Sequence, residues 1–261
     1  MSEPTVHEAE FESPDTEATQ VMTRTGEYIY QGPVPQWEAQ ARDRLAAAID
    51  HFSSPLADLL ERDANEGDTR FLVTDFLSDG LGYDKYGSLT TEYRTKGESV
   101  DYGIRIGGDV FAFIEVKACR QSLDARNLRQ AKLHAVDESV EWVVLTNGRT
   151  WQVHHCPPDA ETGTDLVLDV DLLAEGGREF AVSALFHLTQ EAVEHGRLED
   201  LRKWRAALSP EPLVEILRSG AVIDAVRHEM RRRTGHLGHL GDTEEILRAL
   251  NEGVISRRVT S

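Results

Sequence analysis

Apolar residues follow a helical spacing up to about residue 79 and a strand spacing after about residue 90. Glycines at 80 and 82 separate the two patterns and predict the end of a helix. The first predicted elements are a helix over 36–63, broken near Pro55, and a helix over 68–79. Strands follow at 90–95, 99–106 and 110–118, and then a helix over 122–136. Two strands within 140–155, joined at Asn147-Gly148, and a further strand at 165–171 complete this part of the chain.

From about residue 178 the pattern is helical to the end of the printed sequence. Residues 1–22 lack apolar periodicity and are acidic, so we expect a disordered tail there. The sequence therefore predicts an α/β domain over 23–175 and an all-helical C-terminal appendage over 176–261.

Composition narrows the function classes. The net charge is -18, which argues against non-specific nucleic-acid binding, because phosphate affinity comes largely from Lys and Arg. No apolar run is long enough to span a bilayer, and the acidic N-terminus does not resemble a signal peptide. The two cysteines are far apart. We therefore predict a cytoplasmic protein without membrane association.

The stretch "VDYGIRIGGDVFAFIEVKA" places charged residues in a strand-like apolar run. A three-residue loop at 107–109 would put Asp101 opposite Glu115, and a two-residue loop would keep them adjacent only with a bulge. Glu115 and Lys117 share a face because they are two residues apart. Facing carboxylates repel, so the pair requires protonation, an ion pair with Lys117 or a divalent cation. The alternative interpretation is an ordinary surface ion pair.

The order of these residues resembles the PD-(D/E)XK nuclease superfamily, and in particular the N-terminal nuclease domain of type I restriction subunits and its stand-alone relatives. "NEGDTRFLVTDFLSDGLGYD" resembles the opening helix, "VDY" and "IEVKA" the acidic and E-x-K motifs, and "LRQAKLHA" the helix with a glutamine and a tyrosine four residues apart. The resemblance implies a restriction-endonuclease-like core, with a mixed sheet of about four to five strands flanked by helices.

The resemblance also implies roles for five residues. Asp101, Glu115 and Glu66 would hold Mg²⁺ or Mn²⁺, Lys117 would position the attacking water, and Gln130 would touch the DNA backbone or the lysine. The sequence differs from the family's motifs at two positions. Val100 stands where the family has proline, and His134 stands where it has tyrosine. No P-loop occurs, so the resemblance is to the nuclease module without the translocase.

The resemblance implies a metal-dependent DNA endonuclease with a role in host defence, whose specificity partner the sequence does not identify. The rival hypothesis is a non-catalytic nucleic-acid- or protein-binding protein on the same fold. Seven basic residues near the motif could form a local rim for DNA: Arg94, Lys96, Arg105, Arg120, Arg126, Arg129 and Lys132. The helical region could form a homodimer or a helix-turn-helix, and its Arg231–Arg233 run fits the end of a helix better than a phosphate site.

Two histidine-containing stretches invite a zinc site. His154, His155 and Cys156 are consecutive, so on a strand they cannot all face one ion. His236 and His239 lack an accompanying cysteine pair. A polar strand end and a flexible turn are the preferred interpretations.

Overall fold

The computed structural model of the protein describes residues 33–95, 99–158, 163–235 and 242–255, and the backbone of 20–22 and 28–30. Strands β1 (Gln20–Met22) and β2 (Tyr28–Tyr30) pair antiparallel. Of the predicted disordered tail, residues 1–19 lie outside the described residues. Its last three residues, Gln20–Met22, form strand β1.

Six further strands form one mixed sheet in chain order, with antiparallel neighbours throughout except for a parallel β5–β6 pair. They are β3 (Leu89–Arg94), β4 (Ser99–Ile106), β5 (Asp109–Val116), β6 (Trp142–Thr146), β7 (Thr150–His155) and β8 (Asp165–Asp171). The parallel pair needs a crossover, which helix α3 (Ala125–Asp137) supplies. The mixed α/β class predicted from the sequence is confirmed. The sheet has six strands rather than the expected four to five, because β3 and β8 both pair with it as edge strands.

Helices cover both faces of the sheet. On one face lie α1 (Gln36–Glu61), α2 (Glu66–Asp75), which continues as a π-helical turn over Phe76–Gly80, and α4 (Arg178–Leu185), all of which contribute to the larger apolar core. On the other face α3 packs Ala131 and Ala135 against Phe113 and Val143. Alternating strand residues therefore enter two separate cores.

Helix α1 is continuous through Pro55, so the predicted break near Pro55 is wrong. Its buried side chains keep helical spacing on both sides of the proline: Ala41, Leu45, Ala48, Ile49, Phe52, Leu56 and Leu59. Ser53 Oγ also donates a hydrogen bond to Ile49 O, a carbonyl of the preceding turn. We infer that burial of one uninterrupted apolar face outweighs the loss of a single helical hydrogen bond.

The C-terminal helices divide into two groups. Helices α5 (Gln190–Glu194) and α6 (Arg197–Ala207) follow a short 3₁₀ turn, and Leu188, Ala192 and Leu198 lie in the larger core. Helices α7 (Pro210–Leu217), α8 (Gly220–Thr234) and α9 (Thr243–Leu250) bury few apolar side chains. The predicted boundary at residue 175 therefore falls inside a packed core, and the less buried region begins after α6.

Long-range polar contacts tie this first group of helices to the core. Arg44 forms a bidentate ion pair with Glu191, with nitrogen–oxygen distances of 2.6 and 2.7 Å. The buried Tyr83 hydroxyl donates to Leu188 O. No helix in the described residues is long and apolar enough to cross a membrane.

Candidate active site

The β4–β5 hairpin brings the two predicted motif acids together. Its turn has two residues, since Ile106 pairs with Asp109, and the register shifts by one between Ile104 and Arg105. Beyond this bulge Tyr102 pairs with Ile114, and the next step along both strands places Asp101 opposite Glu115. The bulge thus restores the alignment that a two-residue turn would otherwise remove.

Glu115 and Lys117 form a buried ion pair. Lys117 Nζ donates to Glu115 Oε1 at 2.6 Å, and the two side chains are only 12% and 10% exposed, respectively. Burial raises the pKa of Glu115, although Lys117 opposes that shift. For Lys117, burial is the largest single influence and would lower the pKa, but the hydrogen bond to Glu115 and the negative charges of Glu115, Glu66 and Asp101 together outweigh it, so the pKa is raised. Lys117 is therefore a cation at neutral pH in this arrangement.

Helix α2 adds Glu66 to this pair. Asn65 caps the helix by accepting a hydrogen bond from Asp68 N, which fixes where its first turn begins. Glu66 Oε2 then lies 3.8 Å from Lys117 Nζ, and its side chain is 45% exposed. The ammonium group of Lys117 thus lies within reach of two carboxylates, one buried and one facing solvent.

Asp101 is held from two sides. Its Oδ2 accepts a hydrogen bond of 2.7 Å from Val116 N, the residue between Glu115 and Lys117. Its Oδ1 lies 3.4 Å from Arg70 Nε on α2. The side chain is 12% exposed. Asp101, Glu115, Lys117 and Glu66 are therefore brought to one place, as predicted, by β4, β5 and the start of α2.

Sequence reasoning missed two charged neighbours of Asp101. Arg70 follows Glu66 by one helical turn and so lies on the same face of α2, a spacing visible in the sequence. Glu92 on β3 falls in the register gap opposite Asp101, between the pairs Thr91–Tyr102 and Tyr93–Val100, and its Oε1 lies 3.7 Å from Arg70 Nη2. The sequence alone does not show that Glu92 lies opposite Asp101, because this depends on the register between β3 and β4.

Gln130 does not join this cluster. It is exposed on α3, and no hydrogen bond links its side chain to the other four residues in the described part of the chain. His134, four residues on, is buried and shares a 2.9 Å hydrogen bond between its Nδ1 and Thr95 Oγ1. His134 thus ties α3 to the end of β3.

The acids suit a divalent cation only in part. The described residues contain no group of three or more His, Cys, Asp or Glu side chains arranged to hold a metal ion. The three-ligand set predicted from Asp101, Glu115 and Glu66 is therefore not assembled, because the Lys117 ammonium lies between the carboxylates of Glu115 and Glu66. Asp101 and Glu115 still provide two facing carboxylates, and Mg²⁺ commonly takes one or two together with water and phosphate oxygens.

The seven basic residues proposed as a rim are dispersed. Arg105 bonds Gly108 O in the hairpin turn, and Arg120 bonds Leu60 O at the end of α1. Arg94, Arg126 and Arg129 are exposed, whereas Lys96 lies outside the described residues. Among the described residues, the rim is thus reduced to three exposed arginines. Lys132 is partly buried.

The zinc alternative gains no support within the described residues. His155 packs on the Trp142 ring and lies 3.6 Å from Glu141 Oε2, while burial lowers the pKa of His154 to about 4. His154 Nε2 and His155 Nδ1 are buried without a hydrogen-bond partner in this part of the chain. His236 and His239 lie outside it.

Comparison of the chain with protein-family models, with curated proteins and with solved structures finds no match.

Proposed function

We propose that the protein is a Mg²⁺- or Mn²⁺-dependent phosphodiesterase acting on DNA, built on a restriction-endonuclease-like core. The observation that carries the proposal is the convergence of Asp101, Glu115 and Lys117 at one point, with Glu66 in reach of the lysine. A buried lysine between carboxylates is costly to maintain for stability alone, because desolvation offsets much of the attraction. Such clusters are candidates for catalysis.

Each side chain has a role that its geometry allows. Asp101 and Glu115 would hold the cation, which when bound supplies positive charge to the phosphate and acidifies a water molecule. Lys117, a cation here, would orient the attacking water and stabilise charge developing on the phosphate oxygens. Glu66, half exposed, can accept a proton from that water and pass it to solvent.

The net charge limits how DNA could approach. The cluster contains four carboxylates, on Glu66, Glu92, Asp101 and Glu115, and two cations, on Arg70 and Lys117. When all are ionised, the local net charge is -2, which one divalent cation would neutralise. We therefore expect DNA binding to require the cation rather than merely to be strengthened by it.

A cleavage assay tests the proposal. Supercoiled plasmid and single-stranded DNA are incubated with Mg²⁺ or Mn²⁺ and wild type, Glu115→Gln or Asp75→Asn protein. Glu115→Gln removes the buried carboxylate charge and should reduce cleavage at least a hundredfold. Asp75→Asn removes an exposed carboxylate from the C-terminal end of α2, where Asp75 pairs with Lys85 outside the cluster, and should leave cleavage unchanged.

The alternative is a non-catalytic nucleic-acid- or protein-binding regulatory protein on this fold. The exposed position of Gln130 and the dispersed arginines favour it. It would be supported if the wild type neither cleaves DNA nor binds Mn²⁺ by calorimetry. Binding of Mn²⁺ without cleavage would instead indicate a missing partner or a different substrate.

A further inference from the structure

Arg70 lies beside the proposed metal ligand without being locked to it. Its Nε is 3.4 Å from Asp101 Oδ1 and its Nη2 is 3.7 Å from Glu92 Oε1. Both distances exceed those of a strong charge-assisted hydrogen bond, about 2.7–2.9 Å. Other arginines in the protein make such short contacts, for example Arg178 with Asp50 at 2.6 Å. The guanidinium of Arg70 is thus attracted by two acids without a short bond to either, and it also interacts with the Tyr102 hydroxyl.

The backbone of Arg70 is held firmly. Its carbonyl oxygen accepts hydrogen bonds from the Tyr102 hydroxyl at 3.0 Å and from Thr74 Oγ1 at 2.7 Å. Tyr102 is 1% exposed and packs in the larger core. The helix position is therefore fixed, while the Arg70 side chain, 29% exposed, makes only long contacts with its two acids.

Glu92 has an unusual conformation next to this arginine. Its φ is +48°, a left-handed conformation that non-glycine residues seldom adopt, and its side chain is 73% exposed. The residue interrupts the β3–β4 pairing opposite Asp101. Conformations of this kind concentrate at functional sites. It offers Arg70 a solvent-facing acid adjacent to the one that would bind the cation.

We propose that Arg70 binds a phosphate group of the DNA substrate and, in doing so, leaves Asp101 Oδ1 free for the divalent cation; the inference rests on the proposed nuclease function. A carboxylate oxygen binds a cation more tightly when a neighbouring positive charge moves away from it. A phosphate next to the cleaved bond supplies a better partner for the guanidinium, whose planar set of donors matches phosphate oxygens. The Arg70 side chain would therefore move from Asp101 to the phosphate when substrate and cation bind.

The rival explanation is that Arg70 only holds Asp101 in position. The two roles predict opposite effects on cation affinity. Loss of a positioning residue weakens cation binding, because Asp101 becomes misplaced. Loss of a phosphate-binding residue leaves cation affinity unchanged or increases it, since a positive charge beside Asp101 is removed.

Three variants separate these roles: Arg70→Ala, Arg70→Lys and Arg178→Ala. Arg178 is the matched control, because it is an arginine paired with one aspartate and lies on α4. Mn²⁺ affinity is measured by calorimetry without DNA. Affinity for a labelled duplex is measured by fluorescence anisotropy with Ca²⁺ as the cation, over a series of salt concentrations.

For Arg70→Ala we expect a Mn²⁺ dissociation constant equal to or lower than that of the wild type, with duplex affinity at least tenfold weaker. The slope of log affinity against log salt should decrease by about 1, the loss of one phosphate contact. Arg70→Lys should lose about threefold to tenfold in affinity, because the charge remains and the fork is lost. Arg178→Ala should match the wild type in all three measurements.

Weaker Mn²⁺ binding in Arg70→Ala would overturn the proposal in favour of a positioning role. Unchanged duplex affinity in Arg70→Ala would also overturn it, even if the wild type binds and cleaves DNA. Failure of the proposed function has a different signature, since the wild type itself would bind neither Mn²⁺ nor DNA, and the proposal would fall with it.

Discussion

Lys117 is the residue whose environment most directly couples charge to stability. Its ammonium compensates the buried Glu115 carboxylate across 2.6 Å. Substituting Lys117 with methionine keeps the bulk of the side chain but leaves the carboxylate without its partner. We expect Lys117→Met to lower the free energy of unfolding by about 3 kcal/mol at pH 8, since an uncompensated buried charge is strongly destabilising.

This loss should depend on pH. The pKa of Glu115 is raised by burial even with the lysine present, and it should rise further without it. A carboxyl group with a higher pKa in the folded state is stabilising at low pH, and that contribution disappears as pH rises through the folded-state pKa. Urea denaturation of Lys117→Met should therefore show a smaller loss at pH 5 than at pH 8.

Lys85→Met provides the control for this comparison. Lys85 also contacts a carboxylate at 2.6 Å, that of Asp75, but both side chains are more than a third exposed. The variant should lose less than about 1 kcal/mol at either pH. An equal loss in Lys117→Met at pH 5 and pH 8 would mean that Glu115 does not titrate in this range.

At the residue scale, sequence reasoning found the acids because alternation along a strand and pairing across a turn both follow from local rules. The hairpin placed Asp101 opposite Glu115 provided that its turn had three residues or a bulge, and the structure has the bulge. Arg70 and Glu92 could not be placed in this way, since their contacts depend on how α2 and β3 pack against that hairpin. For Gln130 the prediction rested on the resemblance, and the residue proved exposed on α3.

At the element scale, the Asn147-Gly148 turn joins β6 to β7 and packs against helices α1 and α2. Gly148 has φ of +81°, and a Cβ there would lie 3.4 Å from both Leu56 Cδ1 and Thr69 Cγ2, on α1 and α2. Asn147 Oδ1 accepts a 2.7 Å hydrogen bond from Thr150 N. The turn therefore packs beneath the helix that positions Glu66 and Arg70.

Gly148→Ala should destabilise the protein through both conformation and packing. The left-handed conformation alone costs about 1–2 kcal/mol for a residue with a Cβ. Gly107→Ala isolates that part, because Gly107 has φ of +60° and a Cβ there would have no neighbour within 4 Å. We expect Gly148→Ala to lose about 1 kcal/mol more than Gly107→Ala in urea denaturation. Equal losses would show that the close contacts relax freely.

The ends of helices and strands were predictable where turn signals and apolar periodicity agreed. They were not predictable where tertiary packing determines whether an element continues. Both strands of the β4–β5 hairpin were predicted to within two residues, but only the structure distinguishes a three-residue loop from a two-residue turn with a bulge. The Pro55 signal predicted a break in α1, although a continuous buried face keeps the helix intact. Local signals fail here because tertiary burial contributes more than one hydrogen bond.

At the scale of the whole molecule, the C-terminal helices expose apolar side chains that a folded chain usually covers. Trp204 and Leu208 are 67% and 54% exposed and lie one turn apart at the end of α6. Helix α7 carries four large apolar residues, Leu213, Val214, Ile216 and Leu217, yet none of its residues is buried. Exposed apolar surface of this kind is typical of an interface.

We propose that these helices pair two copies of the chain, which would give a nuclease the two sites needed to cut both strands of a duplex. Light scattering should give the mass of a dimer for the wild type and of a monomer for the double variant Trp204→Asp, Leu208→Asp. The monomer should nick plasmid but produce linear product more slowly than the wild type. Phe71→Asp, which alters an equally exposed aromatic side chain on α2, should remain dimeric. If wild type is monomeric across the concentration range, linear product can arise only from two independent nicks, and its yield should then follow the square of the nicking probability.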